Sequence, residues 1–327
     1  MNLKRAIKGF LLSFVFLTFS VYMIFGIQGI FYGFSEIQDK SLFLGSISDS
    51  IISSIDSTQP VISSNDSKNQ LQIGELNIDA QSAISVWTDF SQPDKILFSK
   101  NDQRKLSIAS ISKLMTALIA IENLNLSKEI KISSEATNQS NEPEFELLKA
   151  GETFYAKDLL YAILIGSDNA ASYALSESMG TNEFIGLMNV KAKELGLSDT
   201  SFSNTSGLGL ANFSTAQDIV KLSEYLFKNQ PSILQITTMP EFDLYTTDGK
   251  VFYKIINTNQ LLTDSNFKKI IVGGKTGKTR TAGECLLLMT KSLNNKGYLI
   301  SVILNSDSRF QEITKIIDWI DKSYKWQ

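Results

Sequence analysis

Residues 107–122 read SIASISKLMTALIAIE. Leu114, Met115, Ala117, Leu118, Ile119 and Ile121 make the second part apolar nearly all round, as in a helix buried on every side. At the head of that helix Ser110-Ile111-Ser112-Lys113 sets a hydroxyl and an amine three residues apart. Positions i and i+3 share a helix face, so Lys113 can reach back over Ser110. A serine in the first turn also sits by unpaired N–H groups and the positive end of the helix dipole. Read alone, the same four residues fit an ordinary serine N-cap followed by a solvated lysine. The rest of the chain decides between the two.

Composition removes most other routes to a nucleophile. The 327 residues hold no histidine, which excludes a Ser-His-Asp triad, a Cys-His pair and a histidine-ligated zinc. The single cysteine, Cys285, excludes an intramolecular disulfide, and its setting in ECLLLMT predicts a buried small hydrophobe. Charge is nearly even, Lys+Arg 31 against Asp+Glu 34, so a nucleic-acid partner is not expected.

Lys4, Arg5 and Lys8 precede an uncharged run from Gly9 to Ser35, longer than the roughly 20 residues a helix needs to cross a bilayer. The basic flank predicts a cytoplasmic N-terminus (1–9), a single transmembrane anchor (10–34) in the cytoplasmic membrane, and an outer remainder. A cleaved signal peptide is the competing reading, but no A-x-A-like site is present and Thr18-Phe19-Ser20 is a poor substitute. Residues 35–75 are serine-rich and read as a linker. The globular domain is expected over 76–327.

Within it, AISVWT (83–88) and KILF (95–98) predict a hairpin that leads into the Ser110 helix. YAKDLLYAILI predicts a helix ending at Gly166, followed by helices over Ala170–Met179 and Asn182–Leu195, each stopped by glycine. Ser214 with Gln217 reads as a capping box for a helix through Phe227. Strands return at Ile270–Val272, Glu284–Thr290 and Tyr298–Leu304. A last helix then carries Ile313, Ile316, Ile317, Ile320 and Tyr324 on one face, expected to lie on the sheet. Strands at both ends with helices inserted between predict an α+β fold: one antiparallel sheet flanked by helices, with a helical subdomain in the middle.

Two further motifs follow the first. Ser167-Asp168-Asn169 falls in a tight connection between two predicted helices. Lys275-Thr276-Gly277 follows the strand-like IIVGG, and its glycine is expected to let a substrate backbone approach the strand edge. S-x-x-K, S-D-N and K-T-G in this order form the signature of penicillin-binding proteins and class A β-lactamases. The spacings here are 57 and 108 residues.

With these motifs the chain resembles the D-alanyl-D-alanine carboxypeptidases, the low-molecular-mass penicillin-binding proteins. LKAGETFYAKDLLYAILIGSDNAA, KELGLSDTSFSNTSGLGLANFSTAQD, NTNQLL (257–262) and SRF (308–310) extend the likeness. The resemblance implies a β-lactamase/transpeptidase-like fold and a cofactor-free, metal-free serine peptidase. Its substrate would be the D-Ala-D-Ala end of a peptidoglycan stem peptide, and β-lactams would inhibit it. By the same resemblance Ser110 forms the acyl-enzyme, Lys113 takes its proton, and Ser167 relays a proton to the leaving amine. Asn169 binds substrate backbone or holds Lys113, Lys275 supplies positive potential, and Thr276 meets the terminal carboxylate. The backbone N–H groups of Ser110 and Lys278 form the oxyanion hole, with Gly277 beside them. Arg309 is a candidate carboxylate clamp, or a local salt-bridge or capping residue. Lys278 departs from the aromatic or histidine common at that position, and the family's frequent C-terminal β domain and amphipathic anchor are not expected here. A β-lactamase, a cross-link-cutting endopeptidase and a non-catalytic binding protein stay open as alternatives. Against the first, the loop from Gly196 to Ser214 holds Asp199 but no glutamate.

Overall fold

In a computed structural model of the chain, residues 76–139, 147–209, 211–292 and 296–324 are described. They belong to the compact unit Pro60–Gln327. The span expected at 10–34 and the linker at 35–75 lie outside them. Among the described residues no helix is long and apolar enough to cross a membrane.

A five-stranded antiparallel sheet forms the frame. It is built from β1 (Ser82–Thr88), β2 (Lys95–Lys100), β3 (Ile271–Thr279), β4 (Gly283–Lys291) and β5 (Tyr298–Ser306) in the order β2-β1-β5-β4-β3. The early hairpin and the late strands meet as expected, with Ser82 opposite Leu304 and Thr88 opposite Tyr298. The strand predicted at Ile270–Val272 is longer than expected. It runs on to Thr279, so the K-T-G residues lie inside an edge strand rather than after one.

The helices on one face are α1 (Lys113–Asn123), α2 (Asn169–Glu177), α3 (Thr181–Glu194) and α4 (Ala216–Asn229). On the other lies α5 (Arg309–Ser323). Alternation along β4 serves both faces. Cys285, Leu287 and Met289 enter the core shared with α1 and the helical subdomain, while Leu286 and Leu288 pack with Ile313, Ile316 and Ile320 of α5. Leu114 through Ala120 are all buried, as the unbroken apolar composition requires.

The structure differs from the sequence reading in three places. The N-cap of α4 is Thr215, whose side chain accepts from the Asp218 N–H. Ser214, assigned that place from sequence, belongs instead to a short strand and hydrogen-bonds Thr200 Oγ1 at 2.7 Å. T-x-x-D competes one residue later and wins, because the backbone of Ser214 is held in a ladder with Leu106. The helix expected to run to Gly166 is α-helical only over Ala156–Tyr161 and continues as a π-turn over Ala162–Gly166. Finally, a helix at Pro231–Thr237 and a hairpin pairing Glu241–Tyr245 with Phe252–Ile256 were not foreseen. Ile255 of that hairpin presses on Gly166, where an added Cβ would lie 2.6 Å from its Cγ2.

Candidate active site

Ser110 lies in a 3-10 turn, Ala109–Ser112, that precedes α1. Side chains at i and i+3 eclipse in such a turn, which brings Lys113 over Ser110 more directly than an α-helix would. Lys113 Nζ donates to Ser110 Oγ at 2.9 Å. The turn is clasped from both sides by glycine. A Cβ on Gly207 would stand 1.9 Å from the Ala109 carbonyl oxygen, and one on Gly277 would stand 3.0 Å from Ser110 N. Ala109 itself is left-handed, φ +47, an unfavourable conformation for a residue with a Cβ that the surrounding contacts enforce. Gly277 therefore meets a need beyond the one its sequence suggested. It makes room for the nucleophile's own backbone.

Lys113 is fully buried, yet its amine has three oxygen partners: Ser110 Oγ, Asn169 Oδ1 at 2.8 Å and the Ser206 carbonyl at 3.0 Å. In the neutral amine, Asn169 and Ser206 can hold the two remaining hydrogens, which leaves the lone pair facing the Ser110 hydroxyl. Of the two roles expected for Asn169, holding Lys113 is thus made directly in the structure. The Ser206 carbonyl is a site group that sequence reasoning missed. Gly207 allows that loop to reach the Ser110 turn, a need that only the folded structure reveals.

Ser167 caps the π-turn with φ +62, again left-handed, and is half-buried. Its neighbour Asp168 caps α2 through the Ala171 N–H at 2.7 Å and also accepts from Leu147 N at 3.3 Å. Burial pushes the Asp168 carboxyl above the usual range, a shift opposed by those two N–H groups and by the charge of Lys113. The middle residue of the second motif thereby builds the corner that aims the outer two.

On β3, Lys275 is buried and donates to the Thr276 carbonyl at 3.1 Å. Burial, then the nearby charges of Lys113 and Arg309, lower its pKa well below that of a free lysine. The charge of Lys113 thus adds to burial in disfavouring the charged form of Lys275. Thr276 is buried and shares a hydrogen bond with Thr258 through the two hydroxyls. Lys278 lies on the opposite face of the strand from Lys275 and pairs with Glu284 at 2.9 Å, directly across the ladder on β4. Arg309, at the start of α5, donates from Nη1 to the Gly277 carbonyl at 2.8 Å, and its Nε lies 4.0 Å from Glu284. The local salt-bridge expected as one alternative is present. Burial would raise the Glu284 pKa, but Lys278 and Arg309 outweigh it and hold the carboxyl below its usual range.

Cys285 is buried, and burial raises its thiol pKa to about 11, so it is a packing residue. Asp199 pairs with Lys105 at 3.6 Å, with both side chains about half exposed. Among the described residues no group of His, Cys, Asp or Glu is placed to hold a metal ion.

A serine bonded to a buried lysine at the foot of an internal helix, with a second buried lysine on the adjoining edge strand, defines a serine peptidase of transpeptidase-like fold. A profile of the D-alanyl-D-alanine carboxypeptidase family matches residues 67–308. The chain is 34% identical over 262 residues to the D-alanyl-D-alanine carboxypeptidase DacF of Bacillus subtilis, covering 77% of this chain and 64% of that protein. It is 32% identical over 234 residues to the D-alanyl-D-alanine endopeptidase of Escherichia coli, covering 70% and 74%. Among solved structures, the D-alanyl-D-alanine carboxypeptidase of Mycobacterium tuberculosis superposes with TM-score 0.65 at 25% identity, covering 75% of this chain and 91% of that one. The chain belongs to the D-alanyl-D-alanine carboxypeptidase family of serine peptidases, among the penicillin-binding proteins, whose relatives include both carboxypeptidases and endopeptidases.

Proposed function

We propose that this protein is a serine D-Ala-D-Ala carboxypeptidase that trims peptidoglycan stem peptides outside the cytoplasmic membrane, to which residues 10–34 anchor it. The observation that carries the chemistry is the buried Lys113 amine, held between Ser110 Oγ, Asn169 Oδ1 and the Ser206 carbonyl.

Ser110 Oγ adds to the carbonyl carbon between the two D-alanines as its proton passes to the neutral Lys113 amine. The oxyanion that forms lies against the N–H groups of Ser110 and Lys278, the former packed against Gly277. The tetrahedral adduct collapses by breaking the peptide C–N bond, and the departing D-Ala amine receives the proton from Lys113 by way of Ser167. Water then adds to the ester and releases the shortened peptide. Lys275 and Thr276 meet the terminal carboxylate.

An endopeptidase uses the same groups, and the Escherichia coli relative favours that second reading. Muropeptides incubated with the purified protein separate them by mass: loss of one terminal D-Ala is expected, whereas cleaved cross-links with intact pentapeptides would make it an endopeptidase. Penicillin should leave a long-lived adduct on Ser110, because its ring-opened amine stays in the cleft and blocks the approach of water. Rapid repeated turnover of penicillin without D-Ala release would make it a β-lactamase. For the anchor, fractionation should find the intact chain in the membrane. A soluble mature protein beginning near Val21 would overturn that assignment.

A further inference from the structure

The hydrogen bond from Arg309 to Gly277 falls on one end of a peptide unit whose other end the mechanism uses. The Gly277 carbonyl and the Lys278 N–H belong to the same planar amide and point in opposite directions. β3 is an edge strand, so N–H groups on its outer side have no ladder partner of their own, while Gly277 sits opposite Cys285 of β4 on the inner side. Nη1 of Arg309 grips the inner end of this amide at 2.8 Å. Gly277 lies against Ser110 N on the same side as the nucleophile.

Arg309 is itself tied down. Glu284 Oε2 accepts from its backbone N–H at 3.3 Å and lies 4.0 Å from Nε, and the guanidinium rests 4.8 Å above the Phe310 ring. The side chain is only 12% exposed. A residue meant to seize an incoming carboxylate would be poorly served by a glutamate at its flank and a carbonyl on its Nη1. Those neighbours suit a fixed donor.

We infer that Arg309 is a positioning residue of the oxyanion site, holding and polarising the Gly277–Lys278 amide so that the Lys278 N–H is aimed at the developing oxyanion, with Glu284 as its anchor. A cation on the carbonyl end of an amide draws electron density along it and strengthens the N–H as a donor, as in any hydrogen-bonded chain. The amide is set before the substrate arrives, so the benefit is realised in the transition state and appears in the rate of acylation rather than in binding. The inference rests on the acyl-enzyme reading above and adds Glu284 to the site.

Two acyl donors test it: a peptide ending in D-Ala-D-Ala, and a thioester whose leaving group carries no carboxylate. Arg309→Gln should slow acylation by both to the same extent, on the order of tenfold to a hundredfold, with KM for the peptide unchanged. Glu284→Gln, which leaves the contact to Gly277 in place, should slow both equally but less. It also serves as the test should Arg309→Gln fail to fold. A loss confined to the peptide, or one expressed in KM, would make Arg309 a carboxylate clamp and overturn the inference, as would unchanged rates with both donors. If the unsubstituted protein is acylated by neither donor, the functional reading falls and this inference with it. A normal parent with the wrong pattern in the variants sinks the inference alone.

Discussion

Replacing Gly207 by alanine tests the claim that the Ser110 turn is held in place by backbone contact. The new Cβ would lie 1.9 Å from the Ala109 oxygen, 2.3 Å from its carbonyl carbon and 3.0 Å from Ser110 N. Relief requires the two backbones to part by more than about 1 Å, and a displacement of that size at a nucleophile costs about a hundredfold in rate. Little slack exists on the Ser110 side, because Ala109 is already left-handed and its carbonyl also accepts from Ser112 Oγ at 2.8 Å. Stability should fall by about 2–4 kcal/mol, from overpacking together with a side chain at φ +83. The same loop supplies a matched control. Gly209 has φ +80 but nothing within 4 Å of its added Cβ, so Gly209→Ala carries the backbone strain without the collision. It should lose only about 1 kcal/mol and acylate at the parent rate. The assay is the second-order rate of labelling by a fluorescent penicillin, with urea unfolding in parallel. Parent-like labelling of Gly207→Ala, or equal impairment of the two variants, would refute the reasoning.

Ser110→Ala should abolish penicillin labelling while leaving the melting temperature within a few degrees; label recovered on Ser112 or Ser167 would contradict the site. Lys275→Met should abolish acylation yet stabilise the protein at neutral pH by on the order of 1 kcal/mol, because a buried cation is removed. A lysine depressed in the folded state is protonated more readily when unfolded, so its penalty is fully present at low pH and fades as pH rises toward the ordinary lysine value. The gain from Lys275→Met, read by thermal melts, should shrink along that same course. Glu224 gives a second pH test. Burial first, then the hydrogen bond and charge of Asp94, raise its pKa to about 7. The folded state therefore holds the proton more tightly, and stability should fall as pH rises from the ordinary glutamate value of 4.5 to about 7. After discounting for solvent the loss is on the order of 1 kcal/mol, and Glu224→Gln should flatten the curve.

The three motifs were legible because each rests on local chemistry. Ser110 and Lys113 are one turn apart in any right-handed helix. Ser167-Asp168-Asn169 was legible as the tight connection between two helices, and the structure adds that Asp168 is the N-cap of α2. The hairpin at β1 and β2 and the amphipathic α5 were legible for the same reason, since alternation and helical period are properties of short windows. The α4 cap was misread by one residue because Ser214 and Thr215 offer near-equal local signals. Pairing of Ser214 with Leu106, a partner more than a hundred residues away, chose between them.

What the sequence determined by itself is therefore the stock of chemistry: a serine–lysine pair without histidine, two further motifs in order, and a chain whose end strands can close one sheet. Tertiary structure alone decided how those groups are poised. The Ser206 carbonyl reaches Lys113 from 93 positions away, Arg309 reaches the Gly277 carbonyl across 32, and Glu284 meets both Lys278 and Arg309. Gly207 and Gly277, 70 positions apart, close on the same turn. A backbone carbonyl has no residue-type signature, and the need for glycine at a close approach exists only once the second backbone has arrived. Contacts of that kind are made by the packing of distant segments, and no window of sequence contains them.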